Sequence, residues 1–130
     1  MLAVVRGVLA GIGYTPYFES EAFIQLTAPR LLPPLDIMIV DDRTFERVEL
    51  SSESRVFDGG QILIPDPKRL IAMELHALKA VSRANREKDW GDIVGVIRGS
   101  NQAIEDSELR EIIERYGPPG AFAEIRRRLG

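Results

Sequence analysis

The sequence predicts an α+β fold, an antiparallel or mixed sheet of four to five strands covered by helices. Three observations predict it. Strand-like runs crowd residues 1–65, helical spacings fill 66–130, and turn or cap residues stand between them. With 130 residues, 45% hydrophobic and 28% charged, the chain has the composition of an ordinary globular protein and the length of a single domain, 1–130. A domain of that size buries roughly two thirds of its unfolded surface, so it needs no covalent or metal staple.

The first element is a helix over Leu2–Ile12, with apolar residues at 2, 5, 8, 9 and 12 and glycines 11 and 13 to end it. Arg6 breaks the apolar run, which is too short to span a membrane and lacks the form of a signal peptide. "YTPYFES" and "AFIQLTA" read as two strands joined at Glu19–Glu21, and "APRLLPP" is a connector because of its three prolines. "LDIMIVDD" is the strongest strand signal. "RTFERVELSS" reads as a short helix that Asp41 and Asp42 can cap. Arg55–Phe57, "DGG" and "QILIP" read as a hairpin on an Asp-Gly turn.

In the second half, Asp66 and Pro67 open a long helix as N-cap and first helical residue. A further helix covers "KDWGDIVGVIRG", where Asp89 can cap and Asp92 can complete a capping-box-like start. Two last helices, Glu105–Tyr116 and Ala121–Leu129, are separated by "GPPG".

Composition excludes several functions. There is no cysteine, hence no disulfide, no Cys-ligated zinc and no thiol nucleophile, and the chain suits the cytoplasm. The net charge of −3 leaves no nucleic-acid footprint, and "RRR" at 126–128 has no interleaved aromatics. Gly59-Gly60 precedes a strand, unlike a dinucleotide loop, and neither a Walker loop nor a G-x-S-x-G elbow occurs.

The charged residues that stand out are few. Asp36 lies among Leu35, Ile37, Met38, Ile39 and Val40, so both faces of its strand are expected to be covered and the strand to be central. A carboxylate there must be paired, hydrogen-bonded or on a metal. A metal-ligating or catalytic role and a structural ion pair with Lys79, Arg86 or Lys88 both stay open. On the Pro67 helix, Lys68, Arg69, His76, Lys79, Arg83 and Arg86 share a stripe suited to phosphates or to solvent. Glu74 projects onto the apolar side and wants a cation, for which Lys88 is the nearest in sequence that could fold back.

The order "LDIMIVDD", "GGQILIPDPKRLIAMELHALK", "REKDWGDIVGVI" resembles the later half of nucleotidyltransferase-fold proteins. The nearest group is the AbiEii-type toxins of type IV toxin–antitoxin systems. The resemblance runs from about Gly13 to Tyr116. It implies that Asp36 is the third catalytic, metal-ligating carboxylate, that Mg²⁺ positions a nucleoside triphosphate, and that Lys79, Arg86 and Lys88 face phosphates. Glu74, Asp89 and Asp92 become supporting residues along the cleft. The sequence departs from the family twice: no Gly-Gly or Gly-Ser turn followed by D-x-D precedes Asp36, and Glu74 stands where the family usually has Lys.

Three functions follow as expectations: a catalytically incomplete nucleotidyltransferase-like domain with a binding or accessory role, a Mg²⁺-dependent transferase of NMP whose D-x-D half is supplied elsewhere, and a non-enzymatic protein-interaction module. An in-frame D-x-D upstream of Met1 would favour the second. A homodimer or partner protein is expected to cover the sheet edge left by the missing half.

Overall fold

The structure, a computed structural model, describes residues 1–79, 86–100 and 104–130. It is α+β, with six helices and five strands among the described residues. The strands form two antiparallel sheets of three and two rather than one sheet of four to five. The chain divides into two compact units, Met1–Glu46 and Arg47–Gly130, each described by itself.

The first unit opens with helix α1, Leu2–Ile12. Gly13 ends it at φ +106°, where its N–H reaches the carbonyls of Leu9 and Ala10. That left-handed backbone favours glycine. Strands β1 (Thr15–Glu19), β2 (Phe23–Thr27) and β3 (Leu35–Met38) follow, in the order β1-β2-β3. Ser20 Oγ accepts from the N–H of Phe23 at 3.0 Å and shapes the β1–β2 turn. Tyr14, Ile24 and Leu26 form the core, with Leu2 and Leu9 from α1 and Leu35, Ile37 and Ile39 from the third strand and its exit. Helix α1 therefore buries less than its spacing predicts, since Val5, Val8 and Ile12 are exposed.

The position of Asp36 also differs from expectation. β3 is an edge strand and Asp36 is exposed; the strand buried on both faces is β2. The residues of β3 alternate, with Leu35, Ile37 and Ile39 turned to the core. Met38 and Val40 are apolar residues on the other face, and they hid this alternation in the sequence.

Helix α2 (Asp42–Leu50) spans the boundary between the units, and Asp41 caps it by accepting from the N–H of Thr44 at 2.7 Å. The second unit continues with the hairpin β4 (Glu53–Phe57) and β5 (Gly60–Ile64). Asp58 and Gly59 have φ +47° and +77°, the two positive values of a type I′ turn. This local turn closes the hairpin on itself, so it forms a sheet of its own.

Helices α3 (Pro67–Leu78), α4 (Arg86–Gly99), α5 (Asp106–Tyr116) and α6 (Ala121–Leu129) complete the unit. Asp66 Oδ1 caps α3 by accepting from the N–H of Arg69 at 3.0 Å. The end of the expected helix, through Arg83, lies outside the described residues. The core joins all four helices through Ile71, Leu75, Leu78, Trp90, Ile93, Leu109, Ile113 and Ile125. Between α5 and α6 the packing is close: a Cβ on Gly117 would lie 2.6 Å from the carbonyl oxygen of Ile113 and 2.9 Å from Ala121 Cβ. No helix of the described residues is long and apolar enough to cross a membrane.

Candidate functional site

In the first unit, cross-strand pairing sets Gln25 opposite Asp36. Gln25 is 2% exposed, and its Nε2 donates to Asp36 Oδ1 at 3.2 Å. Its Oε1 is buried with no hydrogen-bond partner. Asp36 makes further interactions besides this one. Sequence reasoning passed over Gln25, although a polar residue inside the run "FIQLT" was the available signal. The hydrogen bond holds the exposed carboxylate of Asp36 in a defined orientation.

In the second unit α3 presents Glu74 and α4 presents Asp89 and Asp92, with one oxygen of each within 4.8 Å of the others. It is the one group of three metal-capable side chains among the described residues. Asp89 is not the N-cap expected from sequence. Arg86, Glu87 and Lys88 before it are already helical, so Asp89 lies inside α4, and it is 1% exposed. Asp92 has a side chain 43% exposed and is ion-paired with Lys88 at 2.6 Å, one helical turn away.

Glu74 is half-buried, and both it and Asp89 make polar or electrostatic interactions of their own. Three carboxylates this close repel unless cations or donors stand between them. Lys88 supplies one such cation, to Asp92 within α4.

The remaining residues of the expected phosphate surface are spread along the same helices. Lys79 is exposed at the C-cap of α3, His76 is exposed beside it, and Arg86 of α4 is half-buried. Arg83 lies outside the described residues.

Trp90, inside the charged stretch, is a core residue at 9% exposure. The Arg128 guanidinium lies 5.7 Å from its ring centre and also binds Glu87 at 2.9 Å and Glu124 at 2.5 Å. Hydrogen bonds from Arg127 and then Arg128 pull the Glu124 carboxyl down from 4.5 to about 2, and both guanidinium groups are shifted up in return. Arg98 of α4 donates to the carbonyls of Arg128 and Leu129, which end α6. These residues fasten α4 to α6, a role that their spacing of some thirty to forty positions hid.

The resemblance implies Mg²⁺ at Asp36. A two-metal centre needs several anionic oxygens converging on one place. One oxygen of Asp36 receives an amide N–H, and the acidic trio of α3 and α4 does not include Asp36. The described residues of the first unit do not assemble such a set around it. No family model, curated protein or solved structure matches the chain.

Proposed function

We propose that this chain is a catalytically incomplete nucleotidyltransferase-like protein with a binding or accessory role in the cytoplasm. The observation that carries this reading is the setting of Asp36. The carboxylate matched to the family's third catalytic position sits on an edge strand, held by the Gln25 amide. Two-metal phosphoryl chemistry takes more than one carboxylate. The sequence adds support, since Glu74 stands where the family usually has a cation. A cysteine-free chain needs no oxidising compartment, which agrees with the cytoplasm.

The test is nucleotide transfer. The purified chain, given radiolabelled nucleoside triphosphates and Mg²⁺, is expected to label neither RNA, protein nor small acceptors. Labelling that disappears in Asp36→Ala would overturn the proposal and establish a Mg²⁺-dependent transferase. One observation favours a second reading, a protein-interaction module: every residue of the β4–β5 hairpin is exposed, apolar ones included.

A further inference from the structure

Strand β5, Gly60-Gln61-Ile62-Leu63-Ile64, contains neither a charge nor a proline. Its neighbour β4 carries Glu53 and Arg55, ion-paired at 2.6 Å. All residues of both strands are exposed, including Val56 at 76%, Phe57 at 70% and Leu63 at 54%. A two-stranded hairpin on its own is marginal in water. Natural sheets protect open edges with charges, prolines or bulges, and β5 has none of these within it.

The turn tells which backbone groups are free. In a hairpin with a two-residue loop, the flanking pair Phe57/Gly60 is the hydrogen-bonded one. Alternation then turns the N–H and C=O groups of Gly60, Ile62 and Ile64 toward β4, and those of Gln61 and Leu63 toward the outer edge.

We propose that β5 pairs antiparallel with β5 of a second copy of this chain, about a two-fold axis at Ile62. The product is a four-stranded sheet in the order β4-β5-β5-β4. In this register Gln61 faces Leu63 of the second copy, and those two pairs exchange the outward N–H and C=O groups. Ile62 meets its own counterpart in the closer, non-hydrogen-bonded pair. Phe57, Ile62 and Ile64 of both copies line one face, and Val56 and Leu63 line the other.

A second copy fits better than an unrelated strand because β5 is self-complementary. No charge opposes a like charge in the two-fold register, as a two-fold contact demands. The same operation on β4, centred on Arg55, would set arginine against arginine. The inference stands apart from the nucleotidyltransferase-like reading and holds or fails without it.

Light scattering on the full chain across a micromolar-to-millimolar series tests it, with amide hydrogen exchange alongside. The mass should rise from that of one 14.5 kDa chain to twice that value. The Gln61 and Leu63 amides should become protected together with it. Leu63→Pro removes an outward donor without removing a bond to β4, and Ile62→Lys sets like charges face to face. Both are expected to stay at the single-chain mass with an unchanged circular dichroism spectrum. If Leu63→Pro disturbs the hairpin, Ile62→Lys and the exchange pattern decide. A parent chain that remains single throughout, or a dimer that survives both substitutions, overturns the proposal.

Discussion

β2 and β5 are five-residue strands of similar chemistry with opposite surroundings. Phe23-Ile24-Gln25-Leu26-Thr27 has its first four residues buried, whereas Gly60-Gln61-Ile62-Leu63-Ile64 has none. Each contains one glutamine and three large apolar residues. β2 lies between two strands, and Ile24 and Leu26 pack against residues of α1. β5 has β4 alone. The difference teaches that strand propensity and burial are separate properties. Apolar composition makes either segment extended, and the neighbours on each side settle what is hidden from water.

The comparison breaks most readily at the isoleucines. Ile24 is 1% exposed and Ile62 is 43% exposed. Ile24→Ala should cost about 2–5 kcal/mol of stability, from lost transfer energy and the cavity left behind. Ile62→Ala, measured at low micromolar concentration where the chain is single, should stay within about 0.5 kcal/mol of the parent. Urea melts of the two variants check this. Equal losses would show that β5 is covered within one chain.

The glutamines sharpen it at a smaller scale. Gln25 buries a carbonyl oxygen that has no partner, so Gln25→Met should raise stability by about 1 kcal/mol in thermal or urea melts. The exposed Asp36 can exchange the lost amide donor for water. Gln61→Met on the exposed strand should change stability by only a few tenths of a kcal/mol, roughly the surface value. A clear loss on Gln25→Met would mean that the amide is needed where it stands.

The smallest effect is expected away from both strands, where α6 meets α4. The Glu124 carboxyl is lowered in the folded chain from 4.5 to about 2 by Arg127 and Arg128. A group depressed in this way contributes stability that is present above its unfolded value and is lost as pH falls through its folded one. Urea melts stepped from pH 4.5 down to about 2 should therefore show a gradual loss. The double substitution Arg127→Gln with Arg128→Gln should flatten that part of the profile. An unchanged slope in the double variant would remove Glu124 from the acid response. The pair is solvent-facing, so the change should be modest and should shrink further in salt.

Much of the fold was legible from local chemistry. The limits of α1 and α6, the Asp66–Pro67 start of α3 and the Asp58-Gly59 turn were all in the residues. Each depends on groups within about four positions of one another. The pairing of Lys88 with Asp92 uses the same i,i+4 range. Tertiary packing decided the rest. It split five strands into two sheets, put β3 at an edge with Asp36 exposed, and drew Asp89 into the interior of α4. It also left Val5, Val8 and Ile12 in water although their spacing suits a core. Periodicity can mark which residues share a face, but burial depends on a second surface from elsewhere in the chain. That surface is fixed by long-range contacts that no short window of residues contains.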